Sequence, residues 1–260
     1  MDAHTAVNQR LWDELAPLHA ASDFYDVDAF LRGSSTLEVI ELGEVGDVAG
    51  KRLIHLMCHI GLDTLSWARR GAHVTGVDFS AESVAVARDL ADRAGLAADF
   101  VCSDVLDLPG RIDATFDVVF LSKGVLMWIE DLAAWAEACV RLLRPGGVFY
   151  LLEIHPLVMA VAQTETGLTQ QGSYFHTRQP AVVVKDGSYA VPDAVLANKE
   201  SREWTHSLGD VVTALVQAGI RIEFLHEFPA PEQSRVLPSL ESDDPQHLLP
   251  ALYSIRGVRV

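Results

Sequence analysis

The sequence predicts an α/β fold: a parallel, doubly wound sheet with helices on both faces and an antiparallel strand pair at its C-terminal edge. Three observations carry that expectation. Short apolar runs of strand length alternate with amphipathic segments from Arg52 to Ile154, as successive right-handed βαβ units require. The stretch Lys51–Ser80, KRLIHLMCHIGLDTLSWARRGAHVTGVDFS, reads as strand, glycine turn, helix and second strand, with an acid at the second strand's carboxyl end. After the last helical pattern come two strand-like segments joined by a helix-free loop, and strands joined in that way pair antiparallel.

Taken in order, Thr5–His19 carries Val7, Leu11, Leu15 and Leu18 with Trp12 among them, an amphipathic helix expected to stop near Pro17. Asp23–Leu31, with Phe24, Tyr25, Val27 and Phe30, is a short helix or turn, and Thr36–Val45 is a further helix. Arg52–Cys58 is the first strand, and Gly61 allows the sharp turn that follows. Asp63 suits the cap of the next helix, Arg69 and Arg70 suit its C-terminal dipole, and Gly71 ends it. Ala72–Val77 is the second strand and delivers Asp78 to the sheet edge. Ser80 caps a helix over Ala81–Ala94 that Gly95 closes. Asp99–Cys102, Phe116–Leu121 and Val148–Ile154 are the third to fifth strands; Asp131 opens a helix through Leu143, and Arg144-Pro145-Gly146-Gly147 stops it.

Beyond His155-Pro156 the pattern breaks. Leu157–Arg202 has no sustained period, and an irregular stretch of that length reads as a lid or binding loop, with a short hairpin around Ala181–Ala190. Ser207–Ala218 is a helix closed by Gly219, Ile220–His226 is a strand, five prolines punctuate Pro229–Pro250, and Leu252–Val260 is the last strand. The chain is expected to be one domain: a helical cap over 1–50, a ligand-binding core over 51–156, a lid insertion over 157–203, and a C-terminal helix and strand pair over 204–260.

Composition limits the partners. The chain holds 36 acids against 20 bases, a formal net charge of -16, and no basic cluster interrupts that balance. Nucleic acid and anionic membrane surfaces are therefore disfavoured, and a small-molecule partner is compatible. Met1–Arg10 is polar and lacks an apolar signal core, so a cytoplasmic location is expected. Three cysteines, Cys58, Cys102 and Cys139, suit buried thiols in a reducing compartment better than a disulfide framework. His55, Cys58 and His59 lie close together but have no fourth ligand at a fixed spacing, so no metal site is expected.

A βαβ unit with a carboxylate after its second strand suits a ligand that has a ribose diol and an anionic end. A dinucleotide oxidoreductase would carry three spaced glycines at the first turn, and here only Gly61 stands in that slot. The order of marks resembles the class I S-adenosylmethionine (SAM)-dependent methyltransferases: the glycine turn, Asp78, Ser103-Asp104 after the third strand, and Leu143–Gly147 before the fifth. The wording L-x-C-H-x-G-x-D-T-L-S over Leu56–Ser66, with Tyr189 and Trp204–Gly209, is similar to a small-molecule subgroup of methyltransferase type 11/25. The resemblance implies a Rossmann-like sheet of seven strands, SAM as cofactor with S-adenosylhomocysteine (SAH) as product, and a role in small-molecule or natural-product metabolism. It covers Thr36–Pro156 well and the C-terminal part moderately. One departure stands out: the family's turn is acid-x-G-x-G-x-G, and His55, Met57 and His59 replace the acid and the first two glycines.

The resemblance implies a cofactor site made of Tyr25, Leu56, Met57, Cys58, His59, Gly61, Asp63, Asp78, Phe79, Ser80, Ser103, Asp104, Val105, Ser122, Lys123 and Gly124. Within it, Asp78 would take the ribose hydroxyls, Asp104 and the Val105 N–H the adenine, and Asp63 the amino group that the replaced acid commonly holds. Methyl transfer is an in-line displacement in which alignment does most of the work. Where a base is needed, His155 and Glu153 at the carboxyl end of the fifth strand are the candidates, with His206 and His176 in reserve. Trp128, His155, Tyr174 and His176 are the expected acceptor contacts, and the cap and insertion are expected to close together over the cleft as a monomer or homodimer acts on a small molecule. A nicotinamide-dependent oxidoreductase and a non-catalytic SAM-fold binding protein are the alternatives.

Overall fold

The computed structural model describes residues 2–164, 167–229 and 249–260. The chain enters through α1 (Ala3–Ala20), α2 (Val27–Leu31) and α3 (Val39–Val45), all ahead of the sheet. Pro17 lies inside α1 instead of ending it near that position as expected, and the helix runs on to a cap at Ala21. Then follow β1 (Arg52–Leu56), α4 (Leu62–Arg69), β2 (His73–Asp78), α5 (Ala81–Ala94) and β3 (Ala98–Cys102). Ser80 caps α5 by accepting the Ser83 N–H, and Gly95 closes it in the left-handed region. Asp63 is not the cap of α4: that position is Gly61, and Asp63 sits in the first turn with its carboxylate turned to Thr36.

β4 (Phe116–Leu121), α6 (Leu132–Leu142) and β5 (Leu143–Ile154) complete the parallel core. The expected stop at Arg144–Gly147 is a register irregularity within β5: Leu143 pairs with Phe116, and regular pairing resumes at Val148 opposite Val118. The insertion is more structured than its sequence suggests. It holds α7 (Pro156–Ala160), a hairpin of β6 (Val161–Thr164) and β7 (Gly167–Gln170), and β8 (Ala181–Val184). The hairpin expected within Ala181–Ala190 is not there; β8 pairs antiparallel with the more distant β9 (Glu200–Glu203). α8 (Leu208–Ala218) leads to β10 (Ile220–Pro229) and β11 (Pro250–Arg259). Most of the proline-rich stretch between them lies outside the described residues.

The seven-stranded sheet has the order β10-β11-β5-β4-β1-β2-β3, parallel from β3 to β5, with β11 antiparallel to both β5 and β10. The doubly wound, Rossmann-like sheet with a C-terminal antiparallel pair is as expected. One face packs Val119, Leu121 and Phe149 against Trp135 and Cys139 of α6 and Leu215 of α8. The opposite face packs Leu53, Phe120, Tyr150 and Leu152 against Trp67 of α4. β4 is buried on both faces, which is why its sequence is a nearly unbroken apolar run. Among the described residues, no helix is long and apolar enough to cross a membrane.

The close approach that sets the site is made by Phe100 of β3, whose ring fills the notch left by two glycines. A Cβ on Gly61 would stand 2.8 Å from that ring, and one on Gly76 would stand 2.5 Å from it. Gly76→Ala is expected to destabilise the fold by about 1–3 kcal/mol through overpacking. Urea unfolding should show a lower midpoint with an unchanged slope; an unchanged midpoint would mean the Phe100 ring moves aside freely.

Candidate cofactor and active site

The turn after β1 keeps a glycine-like path without the glycines. Met57 has φ 58°, His59 φ 51° and Gly61 φ 78°, so three alternate positions are left-handed and two carry side chains. Each non-glycine in that region costs about 1–3 kcal/mol and persists only where its surroundings hold it. They do so here: the Cys58 N–H donates to the Val77 carbonyl at 2.8 Å, and the His59 N–H donates to Asp78 Oδ2 at 2.8 Å. The other Asp78 oxygen accepts the Ser80 N–H at 2.9 Å. Burial first, against these backbone bonds, raises the Asp78 pKa to about 6.

The two histidines of the turn face different ways. His55 is buried, with Nδ1 2.8 Å from Thr64 Oγ1 of α4 and Nε2 3.1 Å from Ser122 Oγ after β4. Burial holds it neutral, with a pKa lowered to about 4. His59 instead meets the cap: its Nε2 is 3.0 Å from His19 Nδ1 of α1, and its Nδ1 is 3.2 Å from Ser83 Oγ. His19 Nε2 continues the chain to Ser188 Oγ of the insertion at 3.0 Å. Burial lowers His19 to about 4, and burial together with His19 lowers His59 to about 3.

Around this pair the N-terminal helices and the insertion meet. Tyr25 stacks on His19 at 5.4 Å, lies 5.4 Å from His59, and shares a short hydrogen bond with Tyr189. Trp12 is 5.1 Å from His59 and 5.5 Å from Trp128. Glu14 accepts the N–H groups of Ala197 and Asn198, while the Asn8 amide bonds Arg202 backbone atoms in both directions. α1 also reaches the β2 edge, where Gln9 donates to the Phe79 carbonyl at 2.7 Å and Asp13 accepts the Ser80 hydroxyl at 2.7 Å. Asp78 is only 6% exposed beneath these groups. Next to it, Ser103 donates to the Asp104 carbonyl, Asp104 accepts the Leu106 N–H at 3.0 Å, and Val105 is buried.

On the other side of the turn lies a polar cluster. Thr36 Oγ1 donates to Asp63 Oδ1 at 2.5 Å, and Lys123 pairs with Glu38. Glu41 of α3 is 1% exposed; its Oε2 accepts the Glu38 N–H at 2.8 Å, and its Oε1 has no partner.

At the carboxyl end of β5 the expected base pair needs correction. Glu153 is buried, and its two oxygens accept the N–H groups of Gly124, Val125, Leu126 and Ile154 at 2.5–2.8 Å. That carboxylate staples the segment leaving β4 and has no capacity left as a base. His155 caps α7, with Nδ1 accepting the Leu157 N–H at 3.1 Å, so its proton resides on Nε2, 3.0 Å from Glu227. Burial lowers its pKa against the pull of Glu227. Tyr174 stands 6.4 Å from His155, and His176 stacks on His206 at 4.9 Å. His206 Nε2 is bonded to the Ile129 carbonyl, and Trp128 Nε1 to the Gly124 carbonyl. A cavity of about 40 Å³ opens beside these groups, lined by Met127, Glu153, Met159, Trp204, His206 and Tyr253 among others. The residues expected for the cofactor thus lie at the turn and after β2, β3 and β4, and those expected for the acceptor lie past β4 and β5.

His19 and Glu41 were not anticipated, yet each left a sequence signal. His19 stands seven residues after Trp12 on the apolar face of α1, and Glu41 lies between Leu37 and Val45 on a buried stripe.

Comparisons with known proteins agree with this geometry. The profile of the methyltransferase domain family matches residues 55–151. The chain is 29% identical over 177 residues to a ubiquinone biosynthesis O-methyltransferase of Idiomarina loihiensis, covering 64% of this chain and 72% of that one. Matches to other curated proteins of that name cover less of them, for example 65% of one from Xanthomonas oryzae and 56% of one from Nitrobacter winogradskyi. A SAM-dependent methyltransferase from Mesorhizobium loti superposes with TM-score 0.60 at 22% identity, over 88% of this chain and all, 100%, of that one. A structure described for the conversion of a disulfide bond into a thioacetal group in echinomycin biosynthesis gives TM-score 0.59 at 25% identity, over 98% and 92%.

The residues fit SAM. The turn keeps a tight backbone path, and each Asp78 oxygen keeps a lone pair that a ribose hydroxyl could use after its backbone bond. The orphan Glu41 oxygen and the Asp63 carboxylate offer acceptors for a cationic end.

The neutral histidines predict a pH dependence. A histidine held near 4 or below in the fold but near 6.5 when unfolded contributes stability that is present above pH 6.5 and lost as pH falls toward 4. Asp78, raised to about 6, works in the opposite sense, losing stability as pH rises from its unfolded value. His19→Gln should therefore flatten the rise of unfolding free energy across pH 4–6.5 by about one proton's worth of slope. Denaturant titrations at several pH values read that slope, and one identical to the parent's would exclude a neutral His19.

Proposed function

We propose that the chain is a class I SAM-dependent methyltransferase, as its match to the methyltransferase domain family and its similarity to O-methyltransferases support, and that it methylates an oxygen, nitrogen or carbon atom of an apolar small-molecule acceptor in the cytoplasm. The observation that carries the reading is the turn between β1 and α4, left-handed at 57, 59 and 61 and tied to Asp78 at the end of β2. SAM, when bound, supplies an electrophilic methyl group on sulfur and a neutral thioether leaving group.

This chain's residues hold and align. Asp78 accepts the ribose hydroxyls, and Asp104 with the Val105 N–H addresses the adenine. Gly124, at φ 83°, and its neighbours are pinned by Glu153, which fixes the floor where β4 leaves the sheet. The aromatic roof of Trp12, Tyr25, Trp128 and Tyr189 favours an apolar, ring-bearing acceptor and excludes water. Because α1 covers Asp78, ligand entry requires the α1–insertion contact to open, so the two act as a lid. With Glu153 committed to backbone and His155 to Glu227, the chain contributes alignment, which supplies about 7–11 kcal/mol of such a barrier.

Two measurements test the reading. Calorimetry should show SAH binding weakened in Asp78→Ala by about 1.5–3 kcal/mol, the worth of a charge-assisted contact; equal affinity would remove Asp78 from the ribose. A metabolite extract incubated with methyl-labelled SAM should yield a labelled small molecule that is absent from a heat-inactivated control. If SAH binds but no extract yields such a product, the protein is a SAM-fold binding protein.

A further inference from the structure

Building on the methyltransferase reading, we propose that the α-ammonium group of the cofactor is received by Glu41 and Asp63, a carboxylate pair supplied by α3 and the first turn of α4. The position follows from the order of contacts along the sheet edge. Asp78 and Asp104, proposed for ribose and adenine, follow β2 and β3, while Lys123 follows β4 on the other side of β1. On that β4 side Lys123 pairs with Glu38, whose N–H is held by Glu41, and Thr36 bonds Asp63; the amino-acid end of the cofactor would reach this group.

Three features make this a receptor for a cation. Glu41 is 1% exposed, yet its Oε1 has no hydrogen-bond partner among the described residues, an arrangement that costs stability unless a donor reaches it. Among the described residues neither Glu41 nor Asp63 has an ion-pair partner within 4.0 Å; the nearby cation, Lys123, is in contact with Glu38 and is attracted by Glu41 and Asp63 as well. Asp63 keeps Oδ1 on the Thr36 hydroxyl, and after burial it is the strongest influence raising the Glu41 pKa, to about 8, so Glu41 holds its proton at neutral pH while no cation is near. An arriving ammonium would release that proton, and its three N–H donors match the two carboxylates that result.

His55 explains why the receptor lies here. It occupies the slot where the glycine-turn pattern has an acid, but it is neutral and both ring nitrogens are engaged by Thr64 and Ser122. It braces β1 to α4 and β4 and offers no anion. The negative charge that a cationic end requires has moved to α3, part of the N-terminal cap, so the cap would contribute to the cofactor site as well as to its roof.

The test compares ligands that share adenosine and thioether and differ at the amino-acid end. On the unaltered protein, SAH should bind at least about tenfold more tightly than its analogue with hydroxyl in place of the ammonium, as expected for a charge-assisted contact. Glu41→Gln and Asp63→Asn should each cut the SAH affinity about tenfold while leaving 5′-methylthioadenosine, which lacks the amino-acid end, at its parental affinity. The methylthioadenosine measurement also certifies that each variant is folded. Equal binding of SAH and the hydroxyl analogue, or unchanged SAH affinity in both variants, would overturn the receptor and leave the methyltransferase reading standing. Failure of the parent to bind either SAH or methylthioadenosine would overturn the reading itself.

Discussion

Everything at the functional edge depends on the Asp78 carboxylate. It accepts one N–H from the turn and one from the start of α5, and so fixes two segments that approach the same spot from different strands. Without those bonds, nothing obliges His59 to stay in a left-handed conformation that its side chain disfavours. The Phe100 ring, packed against Gly61 and Gly76, supports the turn from beneath, where only glycine leaves room. The cost of the strain is met by backbone bonds and packing around the turn, so the site is organised before any ligand arrives.

Most of the architecture was legible in the sequence because it depends on local rules. α5 and β4 fall on the residues their caps and apolar runs indicate, Ala81–Ala94 and Phe116–Leu121. Pro17 misled because a proline near the C-terminus of a helix costs only local bonding, while the buried residues on either side, Leu15, Ala16 and His19, hold α1 together. The β8–β9 pairing could not be read because its partners are separated by an irregular loop, and register between distant strands is set by packing, not by local pattern. Asp63 fitted the pattern of a cap, but Gly61 took that position and freed the carboxylate for Thr36.

The candidate residues divide along the same line. Asp78, Gly61 and Asp104 were legible because each occupies a fixed offset from a strand end. His19, Glu41 and Glu38 were missed because their importance arises only when the N-terminal helices fold back over the turn. What singles out His19 and Glu41 is chemical inconsistency, a polar group on an apolar stripe, and such inconsistencies collect where a fold departs from ideal packing for function.

The floor and the roof of the site are held by opposite means. On the floor, Asp78 and Glu153 each use a buried carboxylate to bind backbone N–H groups, and backbone cannot move without its secondary structure. In the roof, α1 and the insertion meet through side chains: His19 to Ser188, Tyr25 to Tyr189, Asn8 and Glu14 to the backbone near β9, and Leu11 and Leu15 packed on Leu196. The neutral hydrogen bonds among these can be exchanged for others as a segment swings, at a net cost of only about 0.5–1.5 kcal/mol each, while the apolar contact is the larger part to be opened. In the proposed function a rigid floor would align the reacting groups and a detachable roof would admit them, and alignment is what a methyl transfer without a dedicated base most requires. The departures from the glycine turn then fit the same division: His55 strengthens the floor, and His59 reaches up to His19, one of the contacts between floor and roof.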